Sequence, residues 1–432
     1  MLIRRATLLD RARVDIRTTD RIVDVAASLT PARGETVLDA GGATVIPGLY
    51  DHHVHLHAAA AALDSVRVGP ADVRDRDGLA RALRLAVPGD DGWIRAVGYH
   101  EAVAGSLDRA LLDELNPAVP VRVQHRSGVL WTVNSAGLER LGRGDHPDGR
   151  LRSADPQWGA ELERRAVPLG ELSRRLARRG VVGFTDATPD LDVGAVGQWS
   201  GEIQQRLHVL APGKRILHDD GLDLDELTRW IEGRHGDGVP VAVHCVTAAQ
   251  LVVTLAALRV AGVHPRDRIE HAAVVPDDCL VDLARLGATV VTQPAFVAER
   301  GDQYRTDVPA AEHHELWRVA TLLDAGVEVA FSTDTPFGDG DPWAAMRAAV
   351  HRRTPSGATL GPRECVDAAT ALALFLGAAE NPATPRTVAP GQTGDLCVLE
   401  GSPRDVLADL DGDRVRTTIV GGAVVWRAAE WT

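Results

Sequence analysis

Short apolar runs alternate with amphipathic stretches through most of the second half of the chain. The runs are rich in Val and Ile, are bounded by Gly, Pro or Asp, and lie at residues 180–187, 214–217, 239–245, 267–275, 287–293 and 327–334. Between these runs, apolar residues recur at helical spacing over residues 224–236, 248–262, 276–287 and 313–326. The last three of these segments end in Gly. This repetition predicts a parallel sheet, either open or closed as a (β/α)8 barrel.

The two ends of the chain carry a different pattern. Residues 1–47 and 385–432 alternate apolar and polar positions with Gly-rich turns, which predicts short strands. Neither segment is long enough for a core of its own, so we expect them to pair into one small β-domain. Residues 48–384 would form the body between them. Within the body, residues from about 64 to 165 fit the alternation poorly and predict an insertion after the first strand.

Composition is that of a folded protein, with 45% hydrophobic and 25% charged residues. The formal net charge of −13 argues against nucleic acid or an anionic membrane as the main partner. No run approaches the roughly eighteen apolar residues of a transmembrane helix, and the first residues lack the apolar centre of a signal peptide. The four cysteines are widely spaced, as in reduced thiols. We therefore expect a cytoplasmic protein.

The strongest chemical signal is the segment PGLYDHHVHLH at residues 47–57. If this segment is a strand, His53 and His55 project from one face with their Cα atoms about 7 Å apart. Two imidazoles at that spacing can converge on one metal ion, since Zn–N bonds are about 2.0–2.1 Å long. His52 points to the opposite face and is the weaker candidate. The alternative is a His-rich strand at the surface.

Three more candidates follow apolar runs at the carboxyl ends of predicted strands: His244, His271 and Asp334. A buried imidazole needs a partner, and in a barrel these strand ends converge on the face where active sites lie. Asp334 can bind a metal and also move a proton. The alternatives are hydrogen-bonded core histidines and an aspartate that caps the next helix. Glu270 alternates away from His271, which indicates a structural role.

Lys214 is the only lysine among the 47 Lys and Arg residues of the chain. It begins the apolar run at residues 214–217. A buried amine beside cations becomes neutral more readily. A neutral lysine amine can add CO₂ and become a carbamate, whose two oxygens can bridge two metal ions, whereas arginine cannot. The alternative is a surface lysine without a chemical role.

The order HxH, Lys, His, His, Asp on successive strands resembles the amidohydrolase superfamily of metal-dependent hydrolases. VIPGLYDHHVHL is similar to the opening motif of that superfamily, and VAPGQTGDLCVL is similar to its closing motif. VGYHE, RVQHRSGVLWTVNSAGL, RIEHA and STDTPFGDGDPW resemble its YtcJ-like branch, the amidohydrolase 3 group. The resemblance implies a distorted (β/α)8 TIM barrel, with a small β-sandwich formed from both ends of the chain.

The resemblance also implies a set of metal ligands. These are His53, His55, Lys214, His244, His271 and Asp334. The HxH pair and the aspartate would bind the more buried of two Zn²⁺ ions. The lysine, as N6-carboxylysine, would bridge it to a second Zn²⁺ held by the other two histidines. Without carboxylation, the alternative is a single-metal site made of His53, His55, His244 and Asp334.

The implied reaction is hydrolysis of an amide-like C–N bond in a small molecule: an amide, N-formyl, N-acyl or cyclic amide group. A metal-bound hydroxide attacks the carbonyl carbon, Asp334 carries the proton from the water to the leaving nitrogen, and His271 or His244 stabilises the oxyanion. A metal-dependent deaminase, isomerase or lyase on the same barrel is the alternative. A non-catalytic assembly protein would have lost ligands, and none is missing here.

Residues that could contact the substrate come from two regions. The candidates are Tyr99, His100, His125, Arg126 and Trp131 from the insertion, and Gln293, Phe296 and Tyr304 after the seventh strand. Arg126 would suit a carboxylate on the substrate, and each of the eight could serve packing instead. The predicted partner is a small molecule, not nucleic acid or a membrane, and a homo-oligomer remains open.

Overall fold

The computed structural model describes residues 1–153, 158, 162, 166–189 and 191–429. The chain divides into two units, one formed by Met1–His55 with Gly170–Thr432, and the other by Leu56–Leu169. Residue 165, where the predicted insertion ends, and residues 430–432 of the predicted terminal domain lie outside the described residues.

Strands from both ends of the chain form one sheet. In chain order they are β1 (Leu2–Thr7), β2 (Arg13–Thr18), β3 (Ile22–Ala26), β4 (Val37–Asp39), β5 (Thr44–Pro47), β19 (Leu396–Leu399), β20 (Val415–Val420) and β21 (Ala423–Arg427). The spatial order is β21-β20-β19-β5-β1-β2-β3, with β4 beside β1. The antiparallel β5–β19 pair joins the two ends. One face buries Ile3, Ile16, Val45, Val398 and Ile419 in a shared apolar core, which neither end could form alone.

Eight further strands run parallel in two sheets. The first contains β6 (Leu49–Val54), β12 (Val181–Asp186) and β13 (Arg206–Val209); the second contains β14 (Lys214–Ile216), β15 (Ala242–Cys245), β16 (Arg268–His271), β17 (Thr289–Thr292) and β18 (Val329–Phe331). The orders are β13-β12-β6 and β14-β15-β16-β17-β18. Just beyond β18, Asp334 N–H donates to His53 O and Thr335 O accepts from His55 N–H, each at 2.9 Å. These bonds hold the carboxyl ends of β6 and β18 together.

The helices of the first unit lie between its strands along the chain. They are α6 (Leu169–Arg178), α7 (Val193–Val196), α8 (Leu224–Gly236), α9 (Ala248–Ala261), α10 (Leu280–Leu286), α11 (Ala295–Asp307), α12 (Ala320–Asp324), α13 (Pro342–His351), α14 (Ala368–Ala373) and α15 (Pro403–Asp409). Short 3-10 helices lie at Gly197–Gly201, Asp219–Gly221, Asp277–Cys279, Ala310–Glu315, Pro362–Glu364 and Gly412–Arg414. Gly287 ends α10 in the left-handed conformation, with φ of 71°, which glycine adopts without strain.

The segment predicted as one helix at residues 313–326 is broken. A 3-10 helix ends at Glu315, α12 begins at Ala320, and the intervening Trp317 has φ of 49°. The backbone there bonds to another segment, because Glu315 O accepts from Val275 N–H and Trp317 N–H donates to Ala273 O. These contacts with the chain after β16 replace the helical hydrogen bonds that the sequence pattern favoured.

The second unit has its own sheet and core. Its strands are β7 (Val66–Arg67), β8 (Ile94–Tyr99), β9 (Val121–His125), β10 (Leu130–Val133) and β11 (Arg150–Arg152); its helices are α1 (Leu56–Leu63), α2 (Arg76–Leu85), α3 (Glu101–Ala104), α4 (Arg109–Leu115) and α5 (Ser135–Arg140). The sheet order is β11-β10-β9-β8-β7. Leu79, Ile94, Leu112 and Val121 lie in its apolar core. Across the described ranges of both units, no helix combines the length and hydropathy that crossing a bilayer requires.

Candidate metal centre

Three buried side chains converge where β6, β16 and β18 end. Ligand atoms of His53, His271 and Asp334 all lie within 4.8 Å of one another. His53 Nε2 is 3.5 Å from Asp334 Oδ1, and the His53 and His271 ring centroids are 4.8 Å apart. Their relative exposures are only 1%, 4% and 5%. Two imidazoles and one carboxylate in this arrangement form a donor set that zinc prefers.

Two further histidines adjoin this group. His55 Nε2 lies 3.5 Å from the same oxygen of Asp334 that faces His53. On β15, His244 stands with its ring centroid 4.5 Å from that of His271. The structure therefore brings five predicted ligands, from four strand ends, into one cluster.

Lys214, the sixth predicted ligand, is buried at the start of β14 with 5% exposure. Among the described residues its Nζ has no hydrogen-bond partner. Burial lowers the pKa of the Lys214 amine to about 8, although the negative charges of Glu270 and Asp334 oppose the shift. Asp334 Oδ1 also has no hydrogen-bond partner in the part of the chain that the structure describes. An unsatisfied carboxylate oxygen 3.5 Å from two imidazole nitrogens fits a site for a cation.

Three imidazoles of the cluster are held neutral. Burial lowers the pKa of His53 and of His271 well below the ordinary value, and it lowers the pKa of His244 to about 3. For His53 and His244, the charge of Lys214 adds to the effect of burial. Neutral imidazole is the form that binds a metal, so these three side chains are ready to act as ligands near neutral pH.

Glu270 is a site residue that the sequence interpretation missed. Its carboxylate contacts His53 Nδ1, and both side chains are almost fully buried. Strand alternation placed Glu270 on the face opposite His271, but His271 and Ala272 have φ of 71° and 46°. Alternation fails where the backbone leaves the extended conformation. The RIEHA motif contains no sign of this turn, because non-glycine residues rarely adopt positive φ.

Asp51 ties the HxH strand to the segment that carries Asp334. Its carboxylate accepts from Thr333 N–H at 3.0 Å, Thr333 Oγ1 at 2.5 Å and His53 N–H at 3.4 Å. Burial raises the pKa of Asp51 to about 7, although the hydrogen bonds from Thr333 oppose the shift. The bonds fix the spacing between the first and last parallel strands, and therefore between their ligands.

An Asp51→Ala variant should be less stable by about 1–3 kcal/mol, because buried N–H groups of Thr333 and His53 lose their acceptor. Urea unfolding of the metal-free protein measures the change. Thr333→Val removes the hydroxyl contact alone and should have the smaller effect. Equal stability of Asp51→Ala and the parent chain would contradict the role assigned to the carboxylate.

Three of the residues predicted to contact the substrate lie in the first unit, and their surroundings differ. Gln293 is fully buried, and its Oε1 lies 2.8 Å from His271 Nδ1. The Phe296 ring packs at a tilt against Trp317 with ring centroids 5.1 Å apart, and Tyr304 packs against the same apolar cluster. Phe337, which the sequence interpretation did not select, belongs to this cluster, and its ring centroid is 5.3 Å from that of His55. An apolar cluster therefore borders the candidate ligands.

The other five candidates lie in the second unit. Tyr99 is 2% exposed and donates to Gly105 O at 2.7 Å, and Trp131 packs in an apolar cluster. His100 and His125 have ring centroids 5.8 Å apart and, with Glu101, offer ligand atoms within 4.8 Å of one another. Arg126 N–H donates to Tyr99 O. Contact of these residues with a substrate stays a prediction.

A solved structure and two named proteins are similar to this chain. An uncharacterized metal-dependent hydrolase from Pyrococcus horikoshii OT3 matches with a TM-score of 0.76 over 94% of this chain and 98% of that one, at 19% identity. N-substituted formamide deformylase from Arthrobacter pascens is 26% identical over 97% of this chain and 94% of that protein. YtcJ of Bacillus subtilis (strain 168), named as an amidohydrolase, is 25% identical over 49% of this chain and 41% of that protein.

A cluster of imidazoles and a carboxylate at the carboxyl ends of parallel strands is typical of hydrolases that use a bound metal. The pattern of the amidohydrolase family matches residues 36–175 and 184–426. The chain belongs to the amidohydrolase family, and within it to the YtcJ-like branch. It is an enzyme that hydrolyses carbon–nitrogen bonds other than peptide bonds.

Proposed function

We propose that this enzyme is a zinc-dependent hydrolase of small amide-like compounds, with N-substituted formamides as the favoured class. The observation that carries the proposal is the convergence of four histidines and one aspartate beside Lys214, whose Nζ has no hydrogen-bond partner among the described residues. The name of the Arthrobacter pascens relative supports the formamide class. The apolar cluster that reaches Phe337, beside His55, would suit an apolar substituent on the nitrogen.

Zinc fits the donors that are present. His53, His55 and Asp334 would hold the more buried ion, and His244 and His271 would hold a second. When bound, zinc supplies a Lewis acid and lowers the pKa of a coordinated water towards neutrality. If only one ion binds, His53, His55, His244 and Asp334 would be sufficient to hold it.

Lys214 would bridge the two ions as N6-carboxylysine. The neutral Nζ attacks the carbon of CO₂, one C–O π pair moves to oxygen, and the nitrogen releases a proton, which leaves a carbamate anion. Burial favours the neutral amine that this step requires, because it brings the pKa to about 8. Arginine has no comparable chemistry, which accounts for a lysine at this position in an otherwise Arg-only chain.

Asp334 would carry the proton during hydrolysis. Its backbone has φ of 56° and its N–H donates to His53 O, so the carboxylate is held beside the HxH pair. It would accept the proton of the attacking water and deliver it to the leaving nitrogen. With Nδ1 of His271 engaged by Gln293, Nε2 of His271 is the atom left either to bind zinc or to stabilise the oxyanion, and His244 is the other candidate for the latter role.

The fold proposed for this function is a distorted (β/α)8 barrel from residues 48–384, inserted into a β-sandwich of residues 1–47 and 385–432. The bonds between the ends of β6 and β18 support closure of the two parallel sheets into one barrel. The shared sheet of both chain ends supports the composite domain.

Removal and return of zinc tests the proposal. Zinc at 100 times its dissociation constant should raise the free energy of unfolding of the chelator-treated protein by about 3 kcal/mol. Hydrolysis of N-formyl, N-acyl and cyclic amides should return with it, with formate as the product from formamides. Release of ammonia instead would indicate a deaminase. A purified protein without bound transition metal, and without any response to zinc, would contradict the proposal.

A further inference from the structure

The two most buried of the candidate ligand histidines, His53 and His271, each have an oxygen against Nδ1. For His53 the oxygen is Oε2 of Glu270, which reaches across from β16 to β6. For His271 it is Oε1 of Gln293, at 2.8 Å. All four side chains are at most 4% exposed, so water does not compete for these contacts.

The orientation of the Gln293 amide is fixed by its own bonds. Its Nε2 donates to Ser332 Oγ at 2.8 Å and to Val291 O at 3.3 Å. The opposite atom, Oε1, can then only accept, so the proton of His271 must lie on Nδ1. The carboxylate of Glu270 is likewise an acceptor when ionised, which puts the proton of His53 on Nδ1 as well.

We propose that Glu270 and Gln293 are positioning residues that hold His53 and His271 in the tautomer whose Nε2 lone pair is free to bind a metal. The inference rests on the proposed metal-dependent function. A histidine that ligates a metal through one nitrogen commonly donates from the other to a carboxylate or a carbonyl, and the contact orients the ring and strengthens the ligand. His55 differs, since Thr188 Oγ1, at 3.2 Å from its Nδ1, can donate or accept and fixes no tautomer.

Arg268 compensates the negative charge of the buried Glu270 carboxylate. Its Nε lies 2.7 Å from Glu270 Oε1, and its Nη2 donates to His52 O at 2.5 Å. The guanidinium therefore balances the charge of Glu270 and anchors it to the backbone of β6, next to His53. The result is a rigid link from β16 to β6 that holds the acceptor at His53 Nδ1.

Zinc affinity of variants tests the inference. Glu270→Leu and Gln293→Leu each remove an acceptor and should raise the zinc dissociation constant about 10–100-fold, measured by competition with a chromogenic chelator. Glu270→Gln keeps an oxygen without the charge and should have the smaller effect. The absorption spectrum of the Co²⁺-loaded protein should change in both leucine variants, because the ligand geometry relaxes.

Two controls separate positioning from general damage. Glu364, another buried carboxylate, accepts from Val319 N–H and Thr321 N–H; Glu364→Gln should lower thermal stability without changing zinc affinity. The double variant Arg268→Met with Glu270→Leu removes both buried charges, and it should still bind zinc weakly.

The outcomes differ for the inference and for the function on which it rests. Failure of the parent chain to bind zinc would remove the proposed function. Zinc binding by the parent chain with equal affinity in both leucine variants would overturn the inference alone. Recovery of affinity in the double variant would also overturn it, because the loss would then arise from an uncompensated Arg268. If Glu270→Leu does not fold, the zinc affinities of Gln293→Leu, Glu270→Gln and the double variant test the inference.

Discussion

An Asp334→Asn variant is expected to lose about 10²–10⁴-fold in kcat, because the amide cannot carry a proton between the attacking water and the leaving nitrogen. Asparagine matches the shape of aspartate, and Asp334 Oδ1 has no hydrogen-bond partner among the described residues, so the fold should persist. Loss of one anionic ligand should also weaken zinc binding. Steady-state kinetics on a formamide, with metal content measured in parallel, separates the two effects.

The matched control is Asp339→Asn, which makes the same change of charge at an exposed position of the same segment. It should leave kcat and metal content unchanged. If Asp334→Asn kept kcat within tenfold of the parent chain at full metal occupancy, another residue would have to carry the proton.

A Lys214→Ala variant is expected to lose the second metal ion and several kcal/mol of transition-state stabilisation, which corresponds to about 10²–10³-fold in kcat. The shortened side chain leaves space for a small carboxylate. Acetate or propionate should therefore restore part of the activity and of the second-metal occupancy, because the free acid replaces the missing carbamate oxygens.

Lys214→Arg is the informative partner of this variant. Arginine fills the space and cannot form a carbamate, so it should be inactive and should not respond to added acid. Full activity in either variant, or a single metal ion with an unmodified lysine in the active parent chain, would contradict the two-metal site.

Much of the candidate site could be anticipated, because strand periodicity and position carry the information. His53 lies on β6 and His55 directly follows it, and His244, His271 and Asp334 come at or just after strand ends, which parallel sheets bring together. Such rules depend only on local geometry and topology. These residues could therefore be predicted without knowledge of side-chain contacts.

The other features of the site and fold depend on contacts between segments that are distant in sequence. Local sequence patterns do not predict such contacts. Glu270 reaches His53 because the chain turns at His271, where φ is positive. Gln293 was predicted as a pocket residue, but the sequence contains no sign of its bonds to His271 and Ser332. The break at Trp317 depends on backbone pairing with Ala273, which is distant along the sequence. In each case a contact between residues distant in sequence determines where the side chain lies or where the helix breaks.

The sheet shared by both ends of the chain has a consequence for synthesis on the ribosome. β5 ends at Pro47, but its partner β19 begins only at Leu396. At about 5–20 residues per second, the ribosome needs roughly 20–70 s to make the intervening chain. Throughout that time β5 lacks its antiparallel partner and the apolar core lacks Leu396, Val398 and Ile419, so the nascent amino-terminal segment is a candidate for chaperone binding. The domain is complete only after the carboxyl-terminal strands have been synthesised, although it contains the first strands of the chain.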